Sequence, residues 1–332
     1  MQRHPTPLKF VGPPWFSLVM GLCGLALAWH RAVPLMGEMA GAAGLVVGAL
    51  AAGVFVTLAV ATLLRMRRHP QAWAEDLRHP VRHPFVAAMP ISLILLATVS
   101  VALRGPDLLA QVLWWAGSLA QLWVTLWVLK RWWLGNQVGG LQWASMTPAM
   151  LIPIVGNVLA PLAGVPLGHT EWATAQFGIG LLFWPVVLAL LLVRVAVAGI
   201  WPERLRPAVF ILIAPPAVVG LAALQLGAPN GVAWALWGVA LFSFLWAGTQ
   251  ARAIASQPFG VPHWGLSFPL AAFAALTLRL ATPGSALAVL GPVLLALATL
   301  VICVLALGTW RGLREGSLLA PEPVAALQPA TP

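Results

Sequence analysis

The side chains of this chain that could do chemistry are few, and they lie at the ends of its apolar segments. The 332 residues include eight Asp and Glu and seven His, and none of these falls in the middle of an apolar run. An ionisable side chain at membrane depth usually marks a proton relay or an ion site. Their peripheral placement argues against a proton- or sodium-coupled carrier, a bis-histidine haem protein, and an intramembrane metalloprotease or serine protease.

Neutral polar residues are the remaining candidates inside the apolar segments, namely Ser17, Ser92, Asn157 and Ser267. Each of them could line a path for a solute, or could instead form a hydrogen bond between two helices. The two cysteines, Cys23 and Cys303, also lie in apolar segments, and we interpret them as small packing residues rather than a disulfide or a metal site. No cofactor is expected.

The elements that must position these residues are membrane spans. Hydrophobic residues make up 61% of the chain and charged residues 8%, which excludes a soluble globular domain and a disordered chain. Long apolar runs recur throughout and predict an all-α polytopic membrane protein. The predicted spans are 13–33, 40–64, 85–103, 107–129, 144–165, 173–198, 207–226, 231–251, 264–281 and 285–310. The predicted division is an N-terminal segment, 1–11, a transmembrane domain, 12–310, and a short tail, 311–332.

The basic residues predict the orientation of these spans. Ten spans place both termini on one side, and all 18 lysines and arginines except Arg31, Arg104 and Arg279 fall on that side. The positive-inside rule therefore predicts that both termini are cytoplasmic. The net charge of +10 is spread over short loops, which argues against nucleic-acid binding and predicts a cytoplasmic mouth that attracts anions.

Prolines recur in or near the middle of alternate spans, at Pro90, Pro153, Pro215 and Pro269, with Pro13 and Pro14 near the start of the first. Only two of the spans that follow them contain an interior proline, Pro185 and Pro292. Bent helices at membrane depth are tolerated where they pack on protein or line a cavity. The pattern predicts five helical hairpins in a quasi-five-fold arrangement around a central pore, with the bent helices inside. Half-helix N-termini at the proline breaks could then offer partial positive charge to an anion.

Three short motifs carry a resemblance to a known family. His263-Trp264-Gly265-Leu266-Ser267-Phe268-Pro269 resembles a W-x-x-[ST]-F-[PG] signature, and Pro14-Trp15-Phe16-Ser17-Leu18-Val19-Met20-Gly21 resembles a [YC]-F-G-I-x-L-G opening. Asp76-Leu77-Arg78-His79-Pro80 resembles an E-x-R-H-P element. All three motifs belong to the tellurite-resistance/dicarboxylate transporter (TDT) family, which is TehA-like and includes the plant slow anion channels.

The resemblance implies a fold and a set of site residues. It implies ten helices as five hairpins, a pore through each subunit of a homotrimer, and an aromatic pore gate at Phe268. It also implies a second pore-facing aromatic at Phe16, next to which Ser17 replaces the family's glycine. Arg78 and His79 are expected to shape the cytoplasmic entrance, or else to form an ordinary positive loop. The candidate pore-lining and kink residues are Phe16, Ser17, Pro90, Pro153, Asn157, Pro215, Ser267 and Pro269.

The expected function is a passive anion channel or exporter of a bacterial inner membrane, with small inorganic or organic anions and membrane lipid as partners. The alternative is a secondary transporter for a C4-dicarboxylate, sulfite or tellurite, with possible proton linkage. A third class, a membrane enzyme or cofactor protein, has less support, because the apolar segments lack the side chains for such chemistry.

Overall fold

The computed structural model describes residues 7–135, 137, 139–141 and 143–320, and all regular secondary structure in these residues is helical. The α-helices are α1 (Ser17–Arg31), α2 (Val33–Met36), α3 (Glu38–Arg68), α4 (Pro70–Arg78), α5 (Ala88–Arg104), α6 (Leu108–Leu129), α7 (Ile152–Val155), α8 (Ala160–Gly164), α9 (Thr170–Ala198), α10 (Ala214–Gln225), α11 (Asn230–Gly248), α12 (Ala251–Ala255), α13 (Ser267–Leu280) and α14 (Ala286–Arg314). The 3-10 helices are Pro7–Phe10, Pro13–Phe16, His83–Ala87, Lys130–Leu134, Trp143–Ser145, Pro148–Leu151, Gly156–Leu159, Glu203–Ile213, Val261–Leu266 and Ser317–Leu319.

Eight helical segments of the described residues are long and apolar enough to cross a membrane. They match eight of the ten predicted spans. The other two predicted spans, 13–33 and 144–165, correspond to a 3-10 turn followed by α1 and to the apolar helical segment Pro148–Gly164. Neither of these is among the eight, and Pro148–Gly164 has only 17 residues.

The segments fall into two groups by their surroundings. We use "inner segments" for 13–31, His83–Arg104, Pro148–Gly164, Glu203–Gln225 and Val261–Leu280. We use "outer helices" for α3, α6, α9, α11 and α14. Each inner segment packs on the outer helix that follows it in the chain. The inner segments also contact one another in chain order, and the last one, through α13, returns to pack on α1.

Prolines mark where each inner segment changes its helix type. Pro90, Pro153, Pro215 and Pro269 all lie in the first turn of an α-helix that directly follows a 3-10 helix. Proline is favoured there, because its ring presets the helical φ and the first-turn position needs no N–H donor. Pro13 and Pro14 differ, since they begin the 3-10 turn that precedes α1.

The α-helical parts of the inner segments do not begin with an unpaired N–H. At each of the five junctions, the N–H of the first α-helical residue donates to a carbonyl of the preceding 3-10 helix. These five N–H groups are therefore not free to bind an anion. The partial positive charge expected at the half-helix N-termini stays a prediction.

Glycines on α1 allow the first and last inner segments to come close together. A Cβ atom on Gly21 would lie 2.2 Å from Ser267 Oγ, and one on Gly24 would lie 3.0 Å from the ring of Phe268. Small residues at such contacts let membrane helices approach with dense packing. This contact holds the start of α13, and with it the Phe268 ring, against α1.

Candidate functional site

A small cavity lies where the inner segments change from 3-10 to α-helix. Its volume is about 50 Å³, and every inner segment contributes to its wall. One representative from each is Ser17, Phe85, Val155, Pro215 and Phe268. We call this space the central cavity. Its described lining contains no charged side chain, and apart from the Ser17 hydroxyl and the Trp264 indole nitrogen its side chains are apolar or absent.

Phe268 is held in the wall of the central cavity by its neighbours. The residue is 8% exposed, its ring contacts the face of α1 at Gly24, and Pro269 lines the cavity beside it. Trp264 lines the cavity one turn earlier and is fixed from outside, because its Nε1 donates to Thr309 Oγ1 of α14 at 2.9 Å. The Phe268 ring can therefore turn only by displacing other apolar wall groups.

Ser17 is the one hydroxyl in the described lining of the central cavity. Other serines at helical positions here, such as Ser92, donate to the carbonyl four residues earlier, in that case Ala88 O at 2.7 Å. Ser17 Oγ forms no hydrogen bond with any described residue, so it remains available as a donor to whatever occupies the cavity. Ser17, which replaces the family's glycine, therefore lies in the wall of the central cavity.

Several predicted lining residues lie outside the central cavity. The Phe16 ring packs edge-on against Phe55 of α3, with 6.0 Å between ring centroids. Ser267 Oγ donates to Trp264 O at 2.7 Å and is covered by α1. Pro90 and Pro153 begin their α-helices but are not part of this wall. Of the predicted pore-lining and kink residues, the cavity brings together Ser17, Pro215 and Pro269 with the proposed gate Phe268.

Asn157 belongs to a buried polar network behind the third inner segment. Its Nδ2 donates to Thr125 Oγ1 at 2.8 Å and to Pro153 O at 3.0 Å, and its Oδ1 accepts from Gln176 Nε2 at 3.1 Å. Gln121 Nε2 also donates to Pro153 O, at 2.8 Å. The network joins α6 and α9 to the residues 148–164, in which the helix type changes repeatedly. Asn157 therefore fixes the shape of this segment and does not face the central cavity.

Sequence reasoning missed the contribution of Phe85 to the cavity wall. Phe85 lies on the 3-10 helix His83–Ala87, five residues before Pro90 and on the far side of the junction. To predict Phe85 as a wall residue, one must know that the residues before each proline form a 3-10 turn. A useful signal is therefore an aromatic residue within one or two turns before such a proline.

The Asp76–Pro80 element lies beside a buried cluster of charges. Asp76 is 2% exposed and pairs with Arg65 at 2.7 Å and with Arg82 at 3.0 Å. His79 Nδ1 accepts from the backbone N–H of Val81 at 3.1 Å, so this histidine stabilises the turn that follows. Arg78 is exposed and forms no hydrogen bond or ion pair with a described residue. Of the two predicted entrance residues, Arg78 has the free charge and His79 has a structural role.

The described residues contain no group of three His, Cys, Asp or Glu that could hold a metal ion. Cys23 is buried in α1, whereas Cys303 is exposed on the outer surface of α14, and both are free thiols. Cys303 therefore differs from the expected buried packing residue.

Comparison with known proteins gives one family and several relatives. A family model described as SLAC1, voltage-dependent anion channel, matches residues 11–310. The chain is 26% identical over 264 residues to the tellurite resistance protein TehA homolog of Haemophilus influenzae, covering 78% of each chain. It is 27% identical over 266 residues to the S-type anion channel SLAH2 of Arabidopsis thaliana, covering 79% of this chain and 51% of the plant protein. A second plant relative, the S-type anion channel SLAH3, is 25% identical over 263 residues, which are 41% of that protein.

Proposed function

The chain belongs to the SLAC1 family of voltage-dependent anion channels, and from this premise we propose that it conducts small inorganic or organic anions passively through the central cavity. The observation that carries the proposal is the convergence of all five 3-10-to-α junctions on one uncharged cavity, with the Phe268 ring in its wall. Uncharged walls suit a conduction path, since an anion that binds weakly can also leave.

We propose that the path is surrounded by ten membrane spans in five hairpins. The two segments outside the eight long helices are longer than purely α-helical segments with the same number of residues. The reason is that a 3-10 helix rises about 2 Å per residue and an α-helix about 1.5 Å. With these values, 13–31 and Pro148–Gly164 each extend about 30 Å, the thickness of the hydrocarbon core. The closed sequence of contacts among inner segments supports a quasi-five-fold arrangement within a transmembrane domain, 12–310.

We propose that the described conformation is the closed state of the path. A cavity of about 50 Å³ has room for one or two water molecules, since a water occupies roughly 30 Å³ in the liquid. A hydrated anion cannot pass, and a bare anion would lose its hydration against apolar walls. We propose Phe268 as the gate, because its ring lies in the wall of the central cavity and a rotation that displaces its apolar neighbours would widen the path.

The site of action we propose is a bacterial inner membrane, with both termini in the cytoplasm. The distribution of lysines and arginines supports this orientation. The outer helices expose many large apolar side chains, among them Leu119, Phe242 and Leu300, which suits contact with lipid or with other subunits. A homotrimer is the assembly we propose, and the mass of the complex in native mass spectrometry tests it.

The gate assignment is tested by recording anion currents from purified protein in planar bilayers. Phe268→Ala should raise chloride conductance at least tenfold above the wild-type level, with reversal potentials that follow the anion gradient. Phe273→Ala is the matched control, because Phe273 is buried on the same helix but packs against Trp237 and Phe244 of α11. Wild-type conductance in Phe268→Ala, with normal thermal stability, would contradict the gate.

A second candidate function is secondary transport of a weak acid, and the closed central cavity together with the relative named for tellurite resistance favours it. The substrate would be a C4-dicarboxylate, sulfite or tellurite. Because the described cavity wall holds no carboxylate, a proton would have to travel on the substrate itself. Saturable, pH-dependent uptake into vesicles at zero voltage would support this transporter, whereas currents linear in anion concentration would support the channel.

A further inference from the structure

A second cavity is lined in part by residues outside the inner segments. Its volume is about 160 Å³, and its wall includes Arg78 of α4, His83, Arg131, Trp132 and Ser145. Val128 of α6 also contributes, so this space lies between an inner segment and an outer helix. We call it the arginine cavity. The central cavity, by contrast, is lined from inner segments alone.

The charges around the arginine cavity are unbalanced. None of the described residues that line it is acidic. The carboxylates nearest in sequence are already engaged, since Asp76 pairs with Arg65 and Arg82, and Glu75 pairs with Arg82 at 3.2 Å. Arg78 and Arg131 form no ion pair with any described residue. Two guanidinium groups thus line one space without a counter-ion among the described residues.

One of the two guanidinium groups, that of Arg131, is also held in position. Arg131 Nη2 donates to Leu77 O, and its guanidinium lies over the Trp127 ring with 5.0 Å to the centroid. Trp132 Nε1 is buried and has no hydrogen-bond partner among the described residues. An unpaired buried N–H costs free energy, so it favours an acceptor in the adjacent space. Preorganised guanidinium and N–H donors form the arrangement that recognises oxyanions.

We propose that the arginine cavity binds an oxyanion of the sulfate or phosphate class, either free or as the headgroup of an anionic lipid. A volume of about 160 Å³ admits such an ion with two or three water molecules, at roughly 30 Å³ per water. Basic pockets between membrane helices on the cytoplasmic side bind the phosphate headgroups of lipids. A free oxyanion and a lipid headgroup present the same acceptor oxygens to the guanidinium groups. The site goes beyond the proposed conduction path and does not depend on it.

Occupancy of the arginine cavity would act on the central cavity through one short element. His83 faces the arginine cavity and Phe85 faces the central cavity, and both lie on the 3-10 helix His83–Ala87. Residues two apart on a 3-10 helix point in different directions, at three residues per turn. An anion held on one side of this helix would therefore act on an aromatic ring in the wall of the central cavity on the other side.

Equilibrium dialysis of radiolabelled sulfate against the purified full-length chain in detergent, with 150 mM chloride as background, tests the site. We expect saturable binding of one sulfate per subunit. Arg78→Gln should weaken it at least tenfold, because one charge-assisted hydrogen bond is lost. Arg252→Gln is the matched control: it removes the same charge from an exposed arginine on α12 and should leave the affinity unchanged.

Trp132→Phe gives an independent check, since it keeps an aromatic ring beside Phe183 and removes the indole N–H, together with one ring of the indole. A several-fold loss of sulfate affinity is expected, with unchanged thermal stability before sulfate is added. Three outcomes would overturn the proposal. The first is a wild type that does not bind sulfate, and the second is equal sulfate affinity in Arg78→Gln and the wild type. The third is a loss of sulfate affinity in Phe268→Ala but not in Arg78→Gln. None of these outcomes bears on the conductance test of Phe268.

Nanodiscs distinguish the two sources of the oxyanion. If a lipid headgroup occupies the cavity, sulfate should bind in phosphatidylcholine discs and be displaced in phosphatidylglycerol discs, and Arg78→Gln should abolish that difference. If the ligand is a free anion, the wild-type sulfate affinity should be equal in both discs. Failure to bind in either disc, in protein that also fails in detergent, contradicts the site.

Discussion

The inner segments and the outer helices use the same residue, proline, in opposite ways. In the inner segments, Pro269 and its equivalents begin the α-helical part directly after a 3-10 turn. In the outer helices, Pro185 and Pro292 lie inside α9 and α14, which are each assigned as one continuous α-helix of 29 residues. The difference shows that proline alone does not identify an inner segment. Among the described residues, proline in the first turn of an α-helix that follows a 3-10 helix does identify one.

Burial separates the two groups as clearly as proline does. In the most apolar 18 residues of the inner segment Glu203–Gln225, 94% are buried. In the corresponding 18 residues of the outer helix α9, 17% are buried. A side chain in this part of the inner segment therefore contacts protein on most sides or faces the central cavity. Substitutions there should disturb packing, hydrogen bonding or conduction, whereas equivalent substitutions on outer helices should have little effect.

The largest difference between the two groups is expected for glycine substitutions. Gly21→Ala in α1 places a Cβ atom 2.6 Å from Ser267 Cβ, so α1 and α13 must separate. Overpacking of this kind typically costs about 1–3 kcal/mol. Gly53→Ala in the outer helix α3 meets no atom within 4 Å and should be neutral or stabilise by up to about 1 kcal/mol.

The measurement for this pair is the free energy of unfolding by SDS titration in mixed micelles. Equal effects of Gly21→Ala and Gly53→Ala would show that the two groups of helices do not differ in packing. Gly21→Ala should also change the conductance of the Phe268→Ala protein, because the same contact positions residue 268.

The next effect concerns hydrogen bonds inside and outside. Asn157→Leu removes the bonds to Thr125 and Gln176 of two outer helices and the bonds to the Pro153 and Ile154 carbonyls of its own segment. Hydrogen bonds between membrane helices average about 0.6 kcal/mol each. We expect a loss of about 2 kcal/mol in the same SDS titration. Thr57→Val is the outer counterpart, since Thr57 Oγ1 donates only to Gly53 O on an exposed face, and it should change stability by less than about 0.5 kcal/mol.

A loss in Asn157→Leu no greater than in Thr57→Val would mean that the buried network does not hold the third inner segment. An altered anion selectivity in Asn157→Leu at unchanged stability would instead place residue 157 in the path. That result would restore the original sequence-based prediction for this residue.

The contrast between inner and outer elements also explains what could be predicted from the sequence. Apolar runs predict the eight long helices, and the motif around Pro269 singles out Phe268, which lies in the wall of the central cavity. The facing of individual side chains was not predictable, because inner segments are apolar on all sides and give no amphipathic signal. The change from 3.0 to 3.6 residues per turn at each junction also changes the direction in which the following side chains point. This is why Phe16 was predicted to face the path but contacts Phe55, and why Phe85 was missed.

The smallest effect, and the most specific to the central cavity, is expected from its hydroxyl. Ser17 Oγ has no partner among the described residues, so in an open path it can replace one water of a passing anion. A neutral hydrogen bond contributes about 0.5–1.5 kcal/mol. In the Phe268→Ala background, Ser17→Ala should therefore lower the conductance of strongly hydrated anions such as sulfite about two- to tenfold, with a smaller effect on nitrate.

Ser92→Ala in the same background is the control, because Ser92 is buried on an inner segment but its hydroxyl is engaged by Ala88 O. Bilayer currents under equal gradients of sulfite and nitrate give the ratio of the two conductances directly. If Ser17→Ala and Ser92→Ala change this ratio equally, the hydroxyl does not contact the anion. The inner segments would then differ from the outer helices in packing alone, and the central cavity would not select among anions by hydrogen bonding.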